Sequence, residues 1–188
     1  MKKLILLLIS FAFIVSSCAV NPGQNLSNNN YEGFKSVNFG QMEMKVPKDW
    51  EEYNFENQNI TLFFPDETNP DDNVTIQKIA LNDQQMQLYS NGYYLSVLNT
   101  WMDLVRTDAN ISNLKEEERE VSTVPAIMYT CQELTKDIVY DKTSYVFILE
   151  ESKEMVILSC YSSKGTSSEP FITFPKIVSS IRLDDTNN

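Results

Sequence analysis

The stretch SYVFILEESKEMVILSCY, residues 144–161, decides the fold, because it holds two apolar runs rich in strand-forming residues around a short polar turn. The runs cover residues 144–151 and 154–161, and a hairpin turn is expected where they meet, at Glu151, Ser152 and Lys153. Strands joined by so short a connection are antiparallel neighbours. The stretch therefore predicts a β-hairpin within an antiparallel sheet.

Two more strands precede this hairpin, at residues 111–121 and 126–134, and a longer turn is expected at 135–143. Consecutive hairpins of this kind predict a four-stranded meander. Its order places one strand between those that carry Cys131 and Cys160, so their Cα atoms would lie about 10 Å apart. This spacing favours two buried thiols, and a Cys131 to Cys160 disulfide is the open alternative.

The residues before the meander predict one long helix and three strands. Residues 84–105 carry apolar side chains at helical spacing, Asp83 is expected to cap this helix, and Gly92 predicts a kink or a split within it. The strands are expected at residues 37–46, 59–64 and 74–81.

A second, shorter helix is expected at the carboxyl end of the chain. Residues 169–183 carry apolar side chains at helical intervals, and Pro175 suits a first turn, so the helix is expected to begin only there. Together the elements predict an α+β fold: a single antiparallel sheet of about six to seven strands, with one long helix and a short C-terminal helix packed on it.

The amino terminus has the pattern of a secretion signal followed by a lipid anchor. Lys2 and Lys3 precede an apolar run at residues 4–15, which has the length of a signal core rather than of a membrane span. The motif VSSC at 15–18 then resembles the lipobox of bacterial lipoproteins, which implies that Cys18 is acylated after residues 1–17 are removed. The alternative is an ordinary secretory signal.

We therefore expect three parts in the precursor. Residues 1–17 are the signal peptide, residues 18–33 are the lipidated cysteine with a polar tether of roughly 20 Å reach, and residues 34–188 are the α+β domain. The lipid would hold the protein to the cell membrane, on its extracytoplasmic face.

Charge and composition exclude several classes of function. Removal of residues 1–17 takes Lys2 and Lys3 from the 15 basic residues and leaves all 26 acidic ones, so the formal net charge falls from −11 to −13. Such a surface repels nucleic acid and anionic lipid. Histidine is absent from the chain, which excludes histidine-based triads and histidine-ligated zinc. We predict no catalytic residue, no metal site and no cofactor.

Three segments bracket the domain and carry a family resemblance. The segments are VPKDW at 46–50, NVTI at 73–76 and FPKIVSSIR at 174–182. With these segments the chain resembles the PsbP-like superfamily, which includes a photosystem subunit, a nuclear Ran-release factor and small bacterial lipoproteins. This resemblance implies that Trp50 packs against the core and that the domain has a binding or assembly role with an envelope protein as partner. The chain departs from the family at 122–125, STVP, where a glycine is often found.

Two acidic segments suggest alternatives to a protein-binding role. The proline-rich loop at 65–73 would suit a divalent cation or small ligand through Asp66, Glu67, Asp71 and Asp72, although it lacks the spacing of an EF-hand. The run KEEERE at 115–120 is the place to seek a carboxylate hydrolase. A charged edge strand that discourages edge pairing explains this run better.

Overall fold

The computed structural model describes residues 31–55, 59–66 and 69–183. Cys18, the predicted signal peptide and most of the predicted tether lie outside the described residues. The described elements are β1 (Phe34–Phe39), β2 (Met42–Pro47), β3 (Glu51–Phe55), β4 (Ile60–Phe64), β5 (Asn73–Ala80), α1 (Asp83–Ser90), α2 (Tyr94–Thr107), β6 (Ile111–Val121), β7 (Val124–Thr135), β8 (Ile138–Leu149), β9 (Glu154–Ser162), α3 (Glu169–Ser179) and β10 (Arg182–Leu183).

These elements form an α+β fold, as predicted. Seven strands make one antiparallel sheet in the order β3-β4-β5-β9-β8-β7-β6. Three others make a smaller sheet, β1-β2-β10, which the sequence did not predict. The difference arises at Gly40, whose φ of 71° turns the chain back after β1, so the single strand expected at 37–46 is a hairpin.

The meander predicted from residues 111–161 is confirmed as β6 to β9, but the longer turn expected at 135–143 is wrong. Only Lys136 and Asp137 separate β7 from β8, and both have positive φ, 48° and 68°, as a type I′ hairpin turn requires. Thr135, Ile138 and Val139 are exposed, so no alternation between buried and exposed positions marks the end of β7 and the start of β8.

The break predicted at Gly92 is confirmed: the long helix is split there into α1 and α2, and Gly92 has a φ of 85°. The helices differ from the predictions in two places. The cap of α1 is Asn82, whose side chain accepts from the Gln85 backbone N–H in a capping box, and Asp83 is the first helical residue. The C-terminal helix begins at Glu169 rather than at Pro175, because burial of its apolar face outweighs the hydrogen bond that an internal proline removes.

The seven-stranded sheet has a core on each face. One core lies under α1 and α2 and includes Cys131, whereas the other lies under α3 and the small sheet and includes Cys160. The strand β8 separates the two cysteine strands, as the meander predicts, and both thiols are free. The open alternative of a Cys131 to Cys160 disulfide is thus wrong, because the two side chains point to opposite faces of the sheet.

Trp50 positions the start of β3. Its indole is buried, as the resemblance implied, and Nε1 donates to Glu169 Oε1 at 3.0 Å, which ties the β2–β3 connection to α3. Lys35 Nζ donates to the Trp50 carbonyl oxygen at 3.0 Å. The chain therefore enters β3 from a fixed point in the core.

Candidate functional site

Asp72, in the acidic loop that the sequence singled out, has a structural role. This carboxylate is 4% exposed and accepts hydrogen bonds from Ser162 Oγ at 2.8 Å and from the Ser163 backbone N–H at 2.9 Å. Burial alone raises the pKa of Asp72, but the hydrogen bonds from Ser162 and Ser163 and the nearby Lys164 ammonium outweigh it and hold that pKa below its usual value. Asp72 thus fastens the β4–β5 loop to the end of β9.

The rest of that loop does not assemble a cation site in the described part of the chain. Glu67 lies outside the described residues, and the Asn69 side-chain amide occupies the second oxygen of Asp72 at 2.9 Å. No group of three or more histidine, cysteine, aspartate or glutamate side chains that could hold a metal ion occurs among the residues described.

A buried cation under the α2 face is the strongest electrostatic feature of the core, and the sequence did not single it out. Lys142 is 7% exposed, and its Nζ lies 2.8 Å from Glu133 Oε2 and 4.7 Å from the centre of the Tyr161 ring. Burial lowers the pKa of Lys142, but the neighbouring Tyr161, Tyr129 and Glu133 reverse this and leave the pKa above its usual value. The ammonium is a permanently charged structural group. Its place in the inward alternation of β8 was the available signal.

Neither described cysteine is a competent nucleophile. Burial raises the pKa of the Cys131 thiol to about 11, and it also raises the pKa of Cys160. Both thiols therefore stay protonated and behave as small apolar side chains.

The edge strand β3 is the most exposed strand of the large sheet: all five of its residues are exposed. Tyr53 is 56% exposed and Phe55 is 40% exposed, and their ring centres lie 4.7 Å apart. In the alternation of a strand these two rings share a face with Glu51, whereas Glu52 and Asn54 point to the other face. One side of β3 is thus apolar at its surface and the other is polar.

The polar side of β3 lines a recess of about 350 Å³ between the two sheets. Lys78, at its floor, is already engaged by Glu154 Oε2 at 3.0 Å and by the Phe39 carbonyl oxygen at 3.1 Å. Glu52 lines the same recess and forms no ion pair with any other described residue. The remaining residues that line the recess are Asn38, Phe39, Asn54, Asn59, Thr61 and Ile76.

Apolar side chains are also exposed at the tip of the β7–β8 hairpin, namely those of Leu134, Ile138 and Val139. They point to both faces of the hairpin and flank the Lys136-Asp137 turn, so they form a narrow apolar tip rather than a continuous surface.

The opposite edge of the sheet is the charged strand that the sequence predicted. Residues 115–120 of β6 are all exposed, and β6 pairs only with β7 in the described sheet. Glu117 pairs with Arg119, and Arg106 of α2 donates to Glu116 Oε1 at 2.9 Å. A carboxylate hydrolase would need paired carboxyl groups in a cleft, and these side chains are spread along an exposed edge.

A wider groove of about 560 Å³ lies between β6, β7, β8 and the start of α3. Its polar side chains bond to one another: Asn113 Nδ2 donates to Gln132 Oε1 at 2.7 Å, and Gln132 Nε2 donates to Asp141 Oδ1 at 3.1 Å. The groove therefore presents few polar groups that await a ligand.

Comparison with known proteins reveals similarity in structure and not in sequence. No protein-family model matches the chain, and no curated protein matches it either. LpqN of Mycobacterium tuberculosis, described as involved in cell envelope biogenesis, superposes with a TM-score of 0.56 at 10% identity over 80% of this chain and 90% of LpqN.

Two other solved structures share the same arrangement of elements. Cyanobacterial PsbP from Synechocystis superposes with a TM-score of 0.53 at 12% identity, over 87% of this chain and all of that protein. A protein from Bacteroides thetaiotaomicron gives a TM-score of 0.53 at 12% identity over 83% of this chain, which spans about 50% of the Bacteroides protein. At such identities the similarity shows the fold alone.

Proposed function

We propose that this domain, which has the fold of cyanobacterial PsbP and LpqN, is the protein-binding part of a lipid-anchored envelope protein and that it catalyses no reaction. The observation that carries the proposal is the β3 edge, where Tyr53 and Phe55 are exposed beside strand backbone that pairs with no other described strand on its outer side. A soluble domain gains nothing from such an edge by itself, since exposed strand edges with apolar side chains promote association.

The anchor in this proposal is the acylated Cys18. None of the helices in the described part of the chain combines the length and apolar character needed to cross a bilayer. A body with a formal charge of −13 after removal of residues 1–17 is repelled by anionic lipid, so attached acyl chains would have to hold it at the membrane. The tether would then let the domain reach a partner roughly 20 Å from the anchor.

The non-catalytic part of the proposal is supported by the chemistry of the described residues. The buried thiols are protonated, the buried lysine is paired, and the buried aspartate is enclosed by hydrogen bonds. The envelope role described for LpqN, which has the same fold, is consistent with an extracytoplasmic binding protein.

Two measurements test the proposal. Substitution Cys18→Ala should release the protein from membranes that have been washed with high salt, while its circular dichroism and unfolding midpoint stay those of the parent. Chemical cross-linking of intact cells should then join the wild-type protein to the same envelope protein in repeated experiments. Retention of the Cys18→Ala variant would exclude the anchor, and repeated absence of any protein adduct would exclude the binding role.

A further inference from the structure

We infer that β3 binds an extended segment of the partner protein by strand addition, and that this segment alternates basic side chains with apolar ones. The inference rests on the proposed function and adds to it the mode of binding and the chemistry of the partner.

The backbone of β3 supplies the first part of the argument. In the described sheet β3 pairs only with β4, and that pairing is regular from Glu51 opposite Phe64 to Phe55 opposite Ile60. Alternate N–H and C=O groups of β3 therefore point away from the sheet, and no strand among the described residues pairs with them. An extended chain can form hydrogen bonds with these groups without any rearrangement of the domain.

The apolar face of β3 defines one half of the added strand. Tyr53 and Phe55 are adjacent on that face, and their partners on β4 are Leu62 and Ile60. An added strand would lie about 4.8 Å beyond β3, so every second side chain would lie beside the two rings. Apolar residues at these positions would cover surface that is now exposed.

The polar face of β3 determines which side chains are expected on the other face of the added strand. Side chains on this face of the added strand lie beside Glu52 and Asn54, at the mouth of the polar recess. Lys78 is neutralised by Glu154, so Glu52 is the unpaired charge among the described residues that line the recess. A lysine or arginine in the added strand is its electrostatic complement.

Charge also favours a basic segment over a second copy of the same chain as the occupant of β3. Two β3 edges brought together would add Glu51 and Glu52 of one copy to those of the other, in domains of strongly negative net charge. Such an assembly is opposed by repulsion, whereas a basic segment is attracted over distance.

The test uses the purified full-length protein in detergent and a fluorescent synthetic peptide of about seven residues that alternates lysine with valine or tyrosine. We expect saturable binding by anisotropy that weakens with salt, and no binding when glutamate replaces each lysine. N-methylation of one alternate set of peptide amides should abolish binding, and N-methylation of the other set should leave it, because only one set faces β3. Equal effects of the two sets would exclude strand addition.

Matched variants locate the site. Glu52→Lys should weaken binding of the basic peptide by about tenfold, because a favourable cross-strand pair becomes a repulsive one. Glu118→Lys, an equal charge reversal on the exposed β6 edge, should change the affinity by less than about twofold. Equal weakening by both variants would show a non-specific charge effect and would overturn the inference.

The failure of this inference is distinguishable from that of the proposed function. If the peptide does not bind, or binds without regard to Glu52, while an envelope protein is still cross-linked in cells, the β3 mode is wrong and the protein-binding role stands. If sedimentation shows a dimer that Tyr53→Ser dissolves, the occupant of β3 is a second copy, and the basic segment is excluded.

Discussion

The two edge strands of the seven-stranded sheet, β6 and β3, differ in the side chains that surround their exposed backbone. The β6 edge has six consecutive charged residues, at 115–120, and a register shift between Ser112 and Lys115 that interrupts regular pairing. The β3 edge has two glutamates and two exposed aromatic rings, and its pairing is regular throughout. The long charged edge discourages added strands, whereas the short one is suited to receive one.

If β3 binds a partner as proposed, net charge alone does not decide where this strongly acidic domain associates. Both edges are acidic, yet only β3 combines acid with apolar surface and a polar recess. Substitutions of the residues that hold each edge in place test this contrast.

The largest effect is expected from Trp50→Ala, which removes the buried anchor at the start of β3. The free energy of unfolding in urea should fall by about 3–5 kcal/mol, because a large cavity opens in the core. Amide hydrogen exchange should rise more in β3 and β4 than in β6 and β7. The control Glu169→Gln keeps an acceptor for Nε1 and should cost less than about 1 kcal/mol. Equal loss of protection at both edges would contradict this account.

Asp72→Asn should have an intermediate effect, since Asp72 joins the β3–β5 side of the sheet to β9. We expect a loss of about 1–3 kcal/mol at neutral pH. The pKa of Asp72 in the folded state is below its usual value of 3.8, so its stabilisation is present above that value and is lost as the pH falls through the lower folded value. The stability difference from wild type should shrink over that acidic range. A difference independent of pH would argue against a charged Asp72.

A smaller effect is expected at the charged β6 edge from Arg106→Ala. Arg106 donates to Glu116 and Asp103, each at 2.9 Å, and so joins α2 to β6 at the surface. Exposed ion pairs contribute about 0.2–1 kcal/mol, and salt screens them. Urea unfolding at low and high salt should show a loss in that range that fades with salt. Arg119→Ala, whose partner lies two residues away on the same strand, is the control and should cost less.

The smallest effect on stability is expected from Tyr53→Ser together with Glu52→Lys. Both side chains are exposed, so the free energy of unfolding should change by less than about 0.5 kcal/mol with an unchanged urea slope. A loss of several times that amount would mean that β3 is built for stability rather than for binding.

The sequence predicted those parts of the fold that local pattern determines. The strands β6 to β9, the break at Gly92 and the charged edge at 115–120 all follow from alternation, turn residues or composition, whereas the burial of Trp50 was implied by the family resemblance. β3 escaped prediction because none of its five residues is buried, so no alternation between inside and outside marks it.

The candidate site depends on contacts between distant parts of the chain, which explains why the sequence did not reveal it. The recess beside Glu52 forms only when β1 packs over β4 and β5, and the role of Asp72 depends on Ser162, 90 residues away. Cys18 lies outside the described residues, and its acylation stays a prediction.

The most direct test of the central claim is site-specific photo-cross-linking in living cells. A photo-reactive phenylalanine analogue at position 53 is compared with the same analogue at position 118, on the opposite edge of the same sheet. The account predicts a discrete envelope-protein adduct from position 53, through a basic extended segment, and none from position 118. Adducts from position 118 alone, or equally from both positions, would contradict it.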